Sequence, residues 1–378
     1  MRHIRIVVLI VCACFASAAW AQQPAGSSLT NWTEFHNLDM QRVNPYEDVL
    51  NIHNVGNLQP KWSYSTNAQV GSAPAVVNGV VFAGSDDGNI YALKASTGAL
   101  LWSYPTGGGE SSPAVANGVV YIGSWDSSLY ALNANSGALK WSFASGGAIH
   151  GSPTVLDGVV YFGSDDGNVY AFNATTGAKL WSYTTGGSIA SAPAVLNGAV
   201  YVGSEDNNVY ALNTSTGAKI WSYATGGYVT SSPAVVNGVV YVGSEDNNVY
   251  ALNASTGAEL WTYATGGYVT SSPAVANGEV YVGSWDNNVY ALNASTGAKL
   301  WSYTTGNLVQ SSPAVANGVV YAGSWYTGSP NVFALNVRTG AALWTYSTGF
   351  YVWCSPTVVN GVLYISSDTG KVYAFGLK

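Results

Sequence analysis

The chain has 378 residues, with 12 Lys and Arg against 19 Asp and Glu, a formal charge of −7. A chain this acidic repels phosphate backbones, so nucleic acid is not an expected partner. Charged residues make up only 8% of the sequence, and its 44 Gly and 26 Tyr argue for short strands and tight turns rather than helices.

Residues 1–21 begin with Arg2 and Arg5, continue through an apolar run and end in the small residues Ala19 and Ala21. This is the pattern of a secretory signal cut near Ala21. The apolar run is too short for a permanent membrane span, and no later segment is apolar enough for one. Lipoprotein processing at Cys14 is the rival reading, but Val11, Cys12 and Ala13 match that motif poorly. The mature chain is expected in the periplasm or outside the cell. Cys354 would be its one thiol, so stability must come from packing and not from a disulfide. Residues 22–30 read as a polar, flexible leader. Residues 31–60 lie outside any repeat, and Trp32, Phe35 and Leu50 suggest a cap or plug packed against the remainder of the chain.

From residue 61 to 378 a repeat of about 40 residues organises the chain. One marker is a proline at Pro74, Pro113, Pro153, Pro193, Pro233, Pro273, Pro313 and Pro356. The other is a tryptophan at Trp62, Trp102, Trp141, Trp181, Trp221, Trp261, Trp301 and Trp344. One copy reads as four strands. Residues 232–236 form strand A. Asn237-Gly238 supplies a two-residue hairpin turn. Residues 239–244 form strand B, 248–253 strand C and 260–264 strand D. Four antiparallel strands per repeat are one blade of a propeller. Residues 61–65 are a D strand without A, B or C before it, and the last unit, 355–375, has A, B and C without D. Each end supplies what the other lacks. The expected fold is therefore an all-β, eight-bladed propeller of four-stranded antiparallel blades. The N-terminal strand pairs with the C-terminal blade and removes both free sheet edges.

Residues 291–301 read Ala-Leu-Asn-Ala-Ser-Thr-Gly-Ala-Lys-Leu-Trp. This resembles the tryptophan-docking motif of the quinoprotein, or PQQ-repeat, propellers, A-x-[DN]-x-x-T-G-x-x-x-W. Close copies end at Trp102, Trp141, Trp181, Trp221, Trp261 and Trp344. The resemblance covers about residues 31–378 and implies that each marker tryptophan packs on the neighbouring blade near the motif glycine. That family includes dehydrogenases that use pyrroloquinoline quinone (PQQ). It also includes non-catalytic members, such as the propeller lipoprotein of the outer-membrane-protein assembly machine. Fold alone does not choose between them.

The residues argue against catalysis. PQQ is a flat tricarboxylate that needs cationic partners, and the known enzymes add calcium and often a disulfide between adjacent cysteines. Here Lys94, Lys140, Lys179, Lys219, Lys299 and Arg338 all fall in the C–D turn or on the outer strand D, and only Lys371 lies in a B–C turn. The mature histidines, His36, His53 and His150, lack metal-ligand spacing, so no metal site is expected. No nucleophile elbow or phosphate loop appears. Asp87, Asp126, Asp166, Asp206, Asp246 and Asp286 read as stabilisers of the B–C turn. No cofactor is expected, PQQ with calcium being the alternative.

Variation between the copies gathers on the face formed by the D–A and B–C connections. Three residues before each marker proline stand Gly71, Glu110, His150, Ala190, Thr230, Thr270, Gln310 and Trp353, expected to ring the channel mouth. Just after each Gly-Ser or its equivalent stand Asp86, Trp125, Asp165, Glu205, Glu245, Trp285, Trp325 and Asp368. Tyr228, Tyr268, Tyr326 and Tyr351 lie nearby. Acidic residues dominate blades one to five and aromatic residues blades five to eight. Exposed Trp and Tyr anchor protein and sugar contacts. The candidate binding residues are therefore Glu110, Trp125, His150, Tyr228, Tyr268, Trp285, Gln310, Trp325, Tyr326, Tyr351 and Trp353. The expected partner of this monomer is an envelope protein or peptide, with a carbohydrate as the alternative. Cys354 reads as a small buried residue replacing serine.

Overall fold

The computed structural model describes residues 31–37, 40–325 and 330–378. The expected signal and leader, and Tyr326, lie outside the described residues. No described helix is long and apolar enough to cross a membrane.

Each blade starts from a turn that only certain residues can make. Asn237 (φ 50°) and Gly238 (φ 78°) both adopt left-handed backbone, as a hairpin compatible with strand twist demands. The turn joins Ala234–Val236 to Val239–Gly243, which pairs with Asn248–Asn253 and then Glu259–Ala264. Strands B and C are buried on both faces, while D alternates, with Trp261 buried and Leu260 exposed. Among the described residues, eight such sheets form. Gln59–Ser65 pairs antiparallel with Lys371–Gly376 and completes blade eight, so the ring is shut by its two ends as expected.

The marker tryptophans lock the blades together. The indole N–H of Trp221 donates to the Ala254 carbonyl of the next blade at 2.9 Å. Its ring lies over Gly257, where an added Cβ would sit 2.7 Å from it. Trp62, Trp102, Trp141, Trp181, Trp261 and Trp301 repeat this contact on Gly98, Gly137, Gly177, Gly217, Gly297 and Gly340. Trp344 differs because the D strand of blade eight arrives from the N-terminal end, so that blade has no C–D turn. Its N–H donates instead to Leu58 at 3.2 Å, just after the short 3-10 turn Val55–Asn57.

Residues 32–37 and 40–47 form a plug inside the ring. Strand A is the innermost of each blade, and its inner edge would otherwise leave N–H groups unpaired. Trp32 exchanges two backbone bonds with Val76 of blade one, both 2.8 Å. Val115 of blade two donates to the Thr33 carbonyl, and Val155 of blade three to the Glu34 carboxylate at 3.1 Å. His36 reaches Ala192 of blade four, and Met40 packs in the cluster that holds Val235 of blade five. Val275 of blade six donates to Gln41 at 3.0 Å. Val43–Asn44 runs parallel to Ala314–Ala316 of blade seven, and Asn44 donates to Val358 of blade eight. The segment thus visits the blades in order.

Arg42 pins the plug. It is fully buried, and its guanidinium donates to the carbonyls of Phe35, Pro313 (3.0 Å) and Pro356 (3.2 Å). It also lies 4.3 Å from the Phe35 ring centroid. Burial pushes it down to about 9, against the opposing effect of Cys354.

Candidate functional site

The B–C turns are rigid for a local reason. Asp246 accepts from the Asn248 N–H at 3.0 Å and from the Tyr250 hydroxyl at 2.6 Å. It also accepts from the Gly226 N–H, which ties the turn to the D–A loop beside it. The same set recurs at Asp166, Asp206 and Asp286, so the turn aspartates act as the repeat implied. These turns frame an axial funnel of about 220 Å3, to which the plug contributes Phe35. All eight positions expected at the channel mouth line it. A larger hollow of about 430 Å3, lined by Asn51, His53, Asn277, Asn317 and Arg338 among others, is built from turns of the opposite face. Its residues are mostly those the repeat needs for its turns, so the funnel is the better candidate.

The two variable positions form two rings, coupled to each other in blades three, five, six and eight. His150 pairs with Asp165 at 3.0 Å, Thr230 donates to Glu245 at 3.2 Å, and the Trp285 indole donates to Thr270 at 3.0 Å. The Trp353 indole donates to Asp368. In blades one and four the inner residues are Gly71 and Ala190, which have no polar side chain to offer Asp86 and Glu205. Burial, with neighbouring carboxylates adding to it, holds both acids above their ordinary range. Asp368 is likewise raised to about 6, chiefly by burial.

Aromatic side chains meet in pairs on the rim. Tyr268 and Trp285 have ring centroids 5.2 Å apart, as do Trp325 and Tyr351, and Trp125 lies 5.1 Å from His150. Tyr228, Tyr268 and Trp125 are exposed at 50%, 43% and 43%. Gln310 lines the funnel, and the Trp353 ring lies against Gly71. Phe350, 37% exposed and 4.4 Å from Tyr351, belongs to the same group and is not among the residues expected from sequence. Its place in a variable D–A loop was the available signal. Phe35 was expected in a cap or plug, but Arg42 was not foreseen as an axial residue, because its segment has no repeat to index it.

Glu110 departs from its expected position. In seven blades the residue packed at this level of the blade seam is Val70, Ile149, Ile189, Val229, Val269, Val309 or Val352, each with no exposed surface. Glu110 takes that seam position in blade two, with its Cβ against Gly84 as Ile149 lies against Gly123. The one-residue deletion before Pro113 falls after Glu110, so counting back from the proline misplaces it. The side chain is 5% exposed, one oxygen accepts from Thr106, and Oε2 is buried with no partner. Burial, opposed by hydrogen bonds from Thr106 and Ser124, raises the carboxyl to about 9. Folded Glu110 therefore keeps its proton where an unfolded carboxyl has lost it. Stability falls as pH rises from about 4.5 to about 9. Glu34, raised to about 8 by burial, acts in the same direction. Glu110→Gln is expected to flatten the fall of Tm over roughly pH 5 to 8. An unchanged slope in thermal melts would refute the buried protonated carboxyl.

Cys354 is buried and makes the bonds of the serine it replaces. Its Sγ meets the Ser366 carbonyl at 2.8 Å and the Ser366 N–H at 3.1 Å, as Ser191 Oγ meets both groups of Gly203. Burial pushes the thiol up to about 12. Among the described residues, no group of three or more His, Cys, Asp or Glu side chains could hold a metal ion.

A shut ring of eight blades, each locked to the next by one tryptophan, defines a β-propeller of the PQQ-repeat class. A family model described as outer membrane protein assembly factor BamB matches residues 55–148, 126–231 and 216–378, and the chain belongs to that family. BamB from Moraxella catarrhalis superimposes with a TM-score of 0.74 at 21% identity, over 85% of this chain and 100% of that one. Quinohemoprotein alcohol dehydrogenase from Comamonas testosteroni gives 0.80 at 17% identity, over 93% and 81%. At such identities the likeness is one of fold. In sequence, the dehydrogenase subunit of alcohol dehydrogenase (quinone) from Gluconobacter oxydans (strain 621H) is 36% identical over 98 residues. That match spans 23% of this chain and 13% of the enzyme subunit.

Proposed function

We propose that the chain is an exported scaffold of the cell envelope that binds a protein or extended peptide segment on its funnel face, as a monomer and without a cofactor. The observation that carries this reading is the funnel itself, rimmed by exposed or half-buried aromatic side chains and walled in part by carboxylates. Rigid aromatic rings supply contact area at small entropic cost. The description of the family, an assembly factor for outer membrane proteins, agrees with such a role.

The quinone-dependent relatives favour a second reading, PQQ-dependent dehydrogenation. Aromatic surface for a planar ring is present in Phe35 and Trp353. The charges do not fit a tricarboxylate. Asp86 and Glu110 stand in the funnel wall, no Lys or Arg among the described residues does, and Arg42 is already taken by three carbonyls. Titration of PQQ with calcium, followed by tryptophan fluorescence, is expected to give no saturable change, and a saturable one would restore the enzyme reading. The scaffold reading is tested by capture of partners from envelope extracts. Trp285→Ala combined with Trp325→Ala is expected to reduce capture about tenfold or more, as loss of aromatic anchors does elsewhere. Unchanged capture would remove the aromatic rim from the site, and binding on a glycan array would point to a carbohydrate instead.

A further inference from the structure

The funnel's chemistry narrows the class of segment it can receive, given the binding role proposed above. Its wall is unequal. In blades three, five and eight the outer carboxylates of Asp165, Glu245 and Asp368 are engaged by His150, Thr230 and Trp353. In blade one the inner residue is Gly71, and Asp86 lines the funnel. Beside it, in blade two, Glu110 lines the funnel with Oε2 buried and unpartnered. Trp125 and Phe35 line the same space. Among the described residues no Lys or Arg lines it, and His150 is the one basic side chain that does.

Carboxylates crowded in a partly dry concavity repel one another, and a cation entering there relieves that repulsion. Aromatic faces add attraction for a cation and none for an anion. We propose that the funnel seats a lysine or arginine side chain of an extended partner segment. The charged head would be held by Asp86 and Glu110 and its stem laid along Trp125 and Phe35. Glu110 gives the site depth, because its seam position carries an aliphatic residue in the other seven blades and the carboxyl is unnecessary for packing.

The pairing predicts linkage between ligand and proton. Burial and neighbouring acids hold Glu110 and Asp86 above the ordinary carboxylate range. A bound cation favours their charged forms, so binding releases protons to the buffer near neutral pH.

The test uses the full chain and a capped peptide of five lysines, read by tryptophan fluorescence and by calorimetry in two buffers of different ionisation enthalpy. Saturable binding is expected, weakened steeply by salt and accompanied by proton release. Capped pentaglutamate is expected not to bind. Asp86→Asn should weaken pentalysine about tenfold or more, and Glu110→Gln should reduce the protons released. Thermal melts establish that each variant is folded. No binding, equal binding of pentaglutamate, or full affinity in the acid variants would overturn the proposal. Spermidine binding as tightly as pentalysine would overturn its peptide part. If the acid variants capture envelope partners as the parent does, this inference falls while the scaffold role stands. If the Trp285→Ala, Trp325→Ala variant alone captures normally, the aromatic rim falls instead.

Discussion

Arg42→Met is expected to destabilise the chain by on the order of 4 kcal/mol in denaturant unfolding. Methionine replaces much of the buried stem, so the loss isolates the guanidinium. That group donates to the carbonyls of Phe35, Pro313 and Pro356, and those of Pro313 and Pro356 would be left unpaired in a buried site. An unpaired buried carbonyl costs about 1–3 kcal/mol. Pro313 begins blade seven and Pro356 blade eight, so the same change loosens the ring beside its closing seam. Arg42→Lys should recover only part of the loss, because a single ammonium lacks the planar fork that reaches three acceptors. A deficit under about 1 kcal/mol for Arg42→Met would show that water or backbone movement replaces the lost bonds.

Gly257→Ala is expected to cost roughly 2 kcal/mol more than Gly238→Ala. Both glycines have left-handed backbone, φ 72° and 78°, so both incur a similar backbone penalty of about 1 kcal/mol. They differ in what the new methyl meets. At Gly238 nothing lies within 4 Å, whereas at Gly257 the Trp221 ring lies at 2.7 Å. Trp221 is anchored at both ends of its contact, by its ring packing and by the N–H bond to Ala254, so it cannot swing aside cheaply. The difference between the two variants therefore measures one tryptophan lock. Equal unfolding midpoints would mean that the lock contributes little and that the blades are held by the buried B and C strands alone.

The locks, which join one blade to the next as Trp221 meets Gly257, were foreseen through the resemblance of their repeated motif to the PQQ-repeat propellers. Asn-Gly turns, strand alternation and the Thr-Gly…Trp spacing repeat along the chain, and each copy corroborates the others. The unpaired D strand at residues 61–65 and the missing one after residue 375 were enough to foresee closure, which the pairing of Gln59–Ser65 with Lys371–Gly376 realises. The two variable positions of the funnel face were also legible, as the places where the copies disagree. Their coupling was not. That His150 meets Asp165, and that Thr230 meets Glu245, depends on how the D–A loop leans over the B–C turn. Glu110 shows the limit within the repeat itself. It follows Gly84 at the spacing with which Ile149 follows Gly123, yet it stands as far before Pro113 as His150 stands before Pro153. Only the packed seam shows which count governs.

The amino-acid sequence by itself determined the blade, its turns, the number of blades and the joining of the ends, because these rest on short-range backbone preferences copied eight times. Tertiary structure alone decided the plug, the burial of Arg42 and the depth of Glu110. Those depend on single contacts across the axis, such as Arg42 with Pro313 and Asn44 with Val358, which no local pattern encodes. A unique segment has no second copy against which to be read, and its conformation is set by the cavity that the ring leaves for it.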